Sequence, residues 1–143
     1  MSVIDSMRHV LANTFVMYVH AHIAHWNVKG PDFHENHQFL GGLYEELWGA
    51  VDSIAEQIRA SGDLAPGTLD ALEDPSSIGD YDLGSNWQGI ATGLYLENGL
   101  VISSLNEAFV AATEANNQGL VNFLADRLDK HAKWGWMLRS SQG

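Results

Sequence analysis

Six of the seven histidines, His9, His20, His22, His25, His34 and His37, precede residue 38 in a chain of 143 residues. Imidazole binds divalent transition metals through a neutral ring nitrogen and changes charge near neutral pH, so this crowding points to metal binding or proton handling. Two of the six stand apart. His25 closes a long apolar-patterned segment just before the breaker Lys29-Gly30-Pro31, and His37 falls early in the next segment, within its apolar stripe. A tight corner between the two segments brings both rings to the same end. His9, His20, His22 and His131 read instead as polar-face histidines or as core histidines with hydrogen-bond partners.

The second group is acidic. Asp52 and Glu56 lie four apart and so share one face of a helix. Alone they make a solvated acidic face, with Arg59 three residues beyond Glu56. Distance from His37 says more: the intervening stretch of helix spans ~22 Å at 1.5 Å per residue, whereas ligands of one metal approach it to ~2 to 2.3 Å. One chain cannot place both pairs on one ion. Two copies can, if this helix packs antiparallel on its twin across a two-fold axis, so that the imidazole end of each meets the carboxylate end of the other and two equal sites form.

Gly41, Gly42 and Gly49 lie inside the same segment. Each costs about 1 kcal/mol relative to Ala in a helix interior and lets a second backbone come close. Gly42, Gly49, Asp52 and Glu56 fall on the face away from the apolar seam. A centre of two imidazoles and two carboxylates suits Fe(II), Zn or Mn rather than Ca or Cu(I). The Glu-x-x-His pairs of intrasubunit di-iron bundles are missing, because no Glu or Asp stands three residues before any His.

These groups need long helices to hold them. Phe33, His37, Leu40, Tyr44, Leu47, Val51, Ile54 and Ile58 alternate four and three apart, the seam of a packed helix. A first segment carries Ile4, Met7, Leu11, Tyr18 and Ile23 until Gly30-Pro31 stops it. A third, from about Ser85 to Glu114, places Trp87, Leu94, Val101, Leu105 and Ala112 on one face, and a fourth, about Asn117 to Ser140, does so with Leu120, Leu124, Leu128, His131 and Leu138. Short links make the first and second antiparallel neighbours, and likewise the third and fourth. The stretch 61–84 is long enough to run the length of the bundle, with a short helix at Thr68 to Glu73 inside it. The expected fold is an all-α, ferritin-like four-helix bundle with one long crossover, made by residues 1–143 as one domain.

Composition narrows the function. Eighteen acidic against 7 basic residues give a formal charge of −11, which opposes a phosphate backbone. The absence of Cys excludes a disulfide scaffold, a thiolate zinc site and a thiol nucleophile. The apolar residues up to Ile23 are broken by Asp5, Arg8, His9, Asn13 and His20, so neither a signal peptide nor a membrane span is read there, and a cytoplasmic location is expected.

The run His25-Trp26-Asn27-Val28-Lys29-Gly30-Pro31 with Phe33 and His37, followed by Val51-Asp52-Ser53-Ile54-Ala55-Glu56, closely resembles the signature of the Dps family, the mini-ferritins. His131-Ala132-Lys133 and Trp136-Met137-Leu138-Arg139 are similar to the end of that family's last helix. The resemblance covers essentially the whole chain. It implies a hollow homo-oligomer of twelve subunits built from two-fold dimers, oxidising Fe(II) at intersubunit ferroxidase sites with hydrogen peroxide, or more slowly dioxygen, and storing ferric oxide. It implies His25 and His37 as metal ligands from one subunit, Asp52 and Glu56 as ligands from its partner with Glu56 bridging, and Trp26 as an oxidisable indole beside the iron. Simple core packing is the other reading of Trp26.

Two departures from that pattern matter. Gly41 stands where the family commonly has an Asp that helps hold a second iron, leaving His34 or Glu35 as nearby substitutes. The Lys-rich terminal extension with which many relatives bind DNA is also missing: Arg8 is the one Lys or Arg in the first 28 residues, and none follows Arg139. Twelve copies at −11 give a shell of about −132, a field that favours cations and opposes DNA. Asp126 and Asp129 are candidates to line acidic channels into such a shell, or else pair with Lys130 and Lys133 along their helix. The competing reading is a non-catalytic shell or a Zn/Mn buffer with an incomplete iron site.

Overall fold

A computed structural model describes residues 1–142. Five helices account for the fold: α1 Val3–Asn27, α2 Phe33–Ala60, the short α3 Leu69–Glu73, α4 Trp87–Glu114 and α5 Gln118–Ser140. Four of them start on a residue whose short polar side chain takes up a free backbone N–H of the first turn. Ser2 accepts from Asp5 at 3.0 Å, Thr68 from Ala71 at 3.0 Å, Asn86 from Gly89 at 3.2 Å and Asn117 from Leu120 at 3.2 Å. α1 packs against α2, α3 and α4, and α4 against α5. This is the ferritin-like four-helix bundle with a short helix in the crossover. Among the described residues no helix is long and apolar enough to cross a membrane.

The second helix buries a slightly different stripe from the expected seam. Leu40, Leu43, Leu47, Ala50, Ile54 and Ile58 are buried, while Phe33, His37, Tyr44 and Val51 are half-buried along the flank that meets α1. A helix advances 100° per residue, so residues repeating every seven drift around the axis and the seam divides. The same rotation moves Ile23, expected on the packed face of α1, to the surface at 40 % exposure; Ala21 and Ala24 take the inner positions.

The crossover, residues 61–86, is tied down along its length. Arg8 meets Asp63 at 3.4 Å and the Leu64 carbonyl at 3.4 Å at one end. At the other, Lys29 N donates to Ser85 O at 2.8 Å. Between them, fully buried Asn13 accepts from Ser77 N and from Ser76 Oγ, both at 2.8 Å.

A buried charge pair completes the attachment. His20 Nδ1 lies 2.8 Å from Glu97 Oε2, and Tyr81 of the crossover donates to the same oxygen at 2.7 Å. Glu97 is 2 % exposed. Its hydrogen bond holds the His20 imidazole above its ordinary range against the opposing effect of burial, with the charges of Glu97 and Asp80 adding to it. A raised pKa means that the folded state binds the proton more tightly. The resulting stabilisation is complete below the unfolded value of 6.5 and is lost as pH rises through the higher folded value. The His20 contribution to the urea-unfolding free energy is therefore expected to fall as pH rises above about 6.5. Over that range His20→Gln should lose less stability than wild type; an equal slope in the two proteins refutes the assignment.

Candidate metal centre

The corner between α1 and α2 sets the geometry. Gly30 has φ of 130°, a backbone state open to glycine at no steric cost, and Phe33 N returns to Gly30 O at 3.1 Å. The two helices fold back on each other so that the His25 and His37 rings stack with centroids 3.7 Å apart and planes 17° from parallel. Each ring also bonds the other's backbone: His25 Nδ1 donates to His37 O at 2.8 Å, and His37 Nδ1 donates to His25 O at 2.7 Å. A carbonyl only accepts, so both rings carry hydrogen on Nδ1. In the neutral ring, Nε2 then keeps its lone pair. This reciprocal bonding is the support that orients metal-binding histidines. Phe33 stacks on His37 at 5.0 Å and Tyr44 stands edge-on to His25 at 5.1 Å, so both rings are held in place.

Position 41 borders the same site. A Cβ built on Gly41 would lie 3.3 Å from His25 Cε1 and 3.5 Å from its Nδ1. A side chain there would crowd the His25 ring, and the glycine lets α2 pass close to it.

Asp52 and Glu56 lie on the exposed side of α2, far along the helix from the histidines. Hydrogen bonding to Asp52, and then the charge of Asp52, hold the Glu56 carboxyl above its ordinary range. Two carboxylates this close repel one another, and a cation between them relieves that repulsion. Among the described residues no three or more His, Asp or Glu side chains converge as a metal cluster within one chain. The outer face of α2 also carries Gly42 and Gly49, where an added Cβ would meet nothing within 4 Å. It is open to a second backbone, as its spacing predicts.

The other expected residues are placed as follows. Trp26 is 63 % exposed, which overturns core packing, and its ring lies 4.7 Å from His22. His34 and Glu35 are exposed in the first turn of α2; the His34 ring meets Phe33 at 5.4 Å, and no ring contact with His25 or His37 is present among the described residues. Asp126 and Asp129 both line a shallow depression of about 650 Å³ with Gln57 and Asn122, and Asp129 also pairs with Lys133 at 3.3 Å.

One buried network is not apparent from spacing alone. Arg127 of α5 forks onto Glu46 of α2 through both terminal nitrogens, and Trp134 Nε1 donates to Glu46 Oε1 at 3.0 Å. Arg127 also donates to His131 Nε2 at 2.8 Å, so His131 bears its hydrogen on Nδ1 and donates it to Asn98 Oδ1 at 2.8 Å. Burial, reinforced by the Arg127 charge, pushes the His131 imidazole down to about 3 and keeps it neutral. The signal available in the sequence was a basic residue, Arg127, three positions after Leu124 on an apolar stripe, which calls for a buried acid.

A four-helix bundle with one long crossover defines the ferritin-like class. The family profile described as "Ferritin-like domain" matches residues 4–142. A "DNA protection during starvation protein" of Brevibacillus brevis is 30% identical over 133 residues, covering 91% of this chain and 87% of that protein. "DNA protection during starvation protein 2" of Bacillus anthracis is 28% identical over 141 residues, covering 96% and 94%. The crystal structure of Dps from Staphylococcus aureus superposes with a TM-score of 0.92 at 27% identity, covering 99% of this chain and 95% of that one. The chain belongs to the Dps family, the mini-ferritins.

Proposed function

We propose that this protein is an iron-storing, iron-detoxifying mini-ferritin of the cytoplasm. Two copies pair through α2, and His25 and His37 of one hold Fe(II) together with Asp52 and Glu56 of the other. The observation that carries the reading is the reciprocal Nδ1 bonding of the stacked, half-buried histidine pair, which leaves the Nε2 of each ring without that bond and available as a donor to a metal. The acidic pair on the open face of α2 supplies what that corner lacks. Two carboxylates offset the charge of Fe(II), and two neutral imidazoles complete a mixed N/O set that leaves room for an oxidant. Hydrogen peroxide, or more slowly dioxygen, takes the electrons, and ferric oxide collects inside a twelve-subunit shell. The net charge of −11 draws cations in and opposes DNA binding.

Mixing variants tests the sharing of sites. In a dimer of one His37→Ala chain and one Glu56→Ala chain, one site carries both lesions and the other is intact. Random re-pairing of equal amounts therefore restores about a quarter of wild-type Fe(II) oxidation, read as ferric absorbance after peroxide. Activity no higher than the mean of the two pure variants would sink the shared site. Gly41 favours a second reading, a Zn- or Mn-buffering shell without redox turnover, in which wild type gives no more ferric signal than His37→Ala.

A further inference from the structure

Packing α2 antiparallel on its twin brings a further residue to the site. Helical side chains lean toward their own N-terminus, so Asp52 and Glu56 reach toward the two-fold axis and His37 reaches away from it. Both are met when residue 37 of one copy stands opposite residue 52 of the other. That register sets residue 41, four beyond His37, opposite residue 48, four before Asp52. The occupants are complementary: Gly41 presents bare backbone beside the His25 ring, with no side chain to hold a bulky group off, and Trp48 is a large indole left 56 % exposed. They also share a flank, since Gly41 faces His25 and Trp48 faces Tyr18 at 4.9 Å, both on α1. A two-fold axis lying in the interface preserves that flank.

We infer that Trp48 of the partner subunit covers each metal site over Gly41, and that it ends an aromatic path by which the two sites of a dimer act together on one peroxide. The inference rests on the shared-site reading above. Within one chain the path is continuous. Tyr44 is 5.1 Å from His25, His22 stacks on Tyr44 at 3.8 Å and 7°, Tyr18 Oη lies 2.9 Å from His22 Nδ1, and Trp48 is 4.9 Å from Tyr18. It leads from a chain's own histidines to the indole that enters its partner's site. Symmetry makes two such paths per dimer.

The chemistry gives the path a purpose. With Gly41 in place of a second-metal ligand, each site holds one Fe(II), which supplies one electron, whereas hydrogen peroxide takes two. One Fe(II) and one peroxide give Fe(III), hydroxide and a hydroxyl radical. A second electron and a proton convert that radical to water. The second Fe(II) lies in the other site, ~22 Å away along α2, too far for one efficient electron step. Trp48, Tyr18 and Tyr44 divide that distance into short ones. A proton leaving the Tyr18 phenol with its electron stays on the hydrogen bond to His22 and returns on re-reduction.

Placement and role are tested separately. The chain has no Cys, and residues 41 and 48 of one helix are ~10.5 Å apart, beyond the ~7 Å a disulfide spans. Oxidised Gly41→Cys/Trp48→Cys is therefore expected to run as disulfide-linked dimers on a non-reducing gel, with either single variant remaining monomeric. A properly folded double variant that stays monomeric overturns the placement. Trp48→Phe and Tyr18→Phe keep shape but are not readily oxidised. In both, Fe(II) consumed per peroxide is expected to fall from two toward one and a hydroxyl-radical spin adduct to appear, while Tyr18→Phe, which changes no group at the metal, is expected to bind Co(II) as wild type does. Unchanged stoichiometry with no adduct overturns the path. If wild type binds no Co(II), the shared metal site itself fails, and the cross-link alone judges the position of Trp48.

Discussion

Replacing His37 with Ala is expected to lower affinity for Co(II), a redox-silent stand-in for Fe(II), by at least about 100-fold, on the order of 3 kcal/mol, and to abolish peroxide-driven Fe(II) oxidation. Two losses combine. The variant removes one Nε2 donor, and it removes the ring that stacks on His25 at 3.7 Å and bonds its carbonyl. Its backbone carbonyl remains, so His25 keeps its Nδ1 partner and the corner has reason to stay folded. Asp52→Ala is expected to do the same damage from the far end of the helix. The decisive comparison is the double variant. If each site takes its histidines from one copy and its acids from the other, either single change already abolishes Fe(II) oxidation at both sites, and His37→Ala/Asp52→Ala is no worse than either alone. Partial losses of oxidation in the single variants that sum in the double variant would mean two independent sites and would refute the shared centre.

Replacing Arg127 with Met is expected to lower the free energy of unfolding by about 3 kcal/mol, near the low end of the range for breaking a buried ion pair from one side. The low end applies because 26% of the Glu46 side chain is exposed, against 6% of Arg127, so water partly screens the charge left behind. Burial opposes the ionisation of Glu46, but the hydrogen bonds and charge of Arg127 outweigh it and hold the carboxyl below its ordinary range. A depressed carboxylate contributes stability above its unfolded value of 4.5 that is lost as pH falls through the lower folded value. The difference between Arg127→Met and wild type should accordingly shrink in acid. Arg127→Met/Glu46→Leu should recover most of the loss, because no unpaired charge remains. Urea midpoints at neutral and acid pH measure both effects; a single variant within a few tenths of a kcal/mol of wild type would show that the pair does not hold α5 to α2.

The helices were legible because their causes are local. The four-and-three spacing in α2, the capping residues Thr68, Asn86 and Asn117, and the stop at Gly30-Pro31 act within a turn or two of themselves. That locality extends to the pairing of His25 with His37, since a corner of a few residues leaves them no other place to go. It also covers the separation of both from Asp52 and Glu56, which is helix rise multiplied by residue count. A metal held by all four groups would therefore need two copies, a condition readable from the sequence by itself.

What it leaves open depends on how each helix is rotated about its axis against its neighbours. That rotation sets Gly41 against the His25 ring, turns Ile23 outward, sinks Glu97 beneath His20 and Tyr81, and joins Arg127 to Glu46 across 81 positions of chain. A rotation is the sum of many small packing contacts, none carried by a single residue type or spacing. The sequence by itself thus determined the long helices, the meeting of His25 with His37 at one corner, and the distance that separates that pair from Asp52 and Glu56. The tertiary structure decided which nitrogen of each ring bonds backbone and which side chains border the histidine pair, because packing density, rather than pattern, selects among the rotations a helical stripe allows.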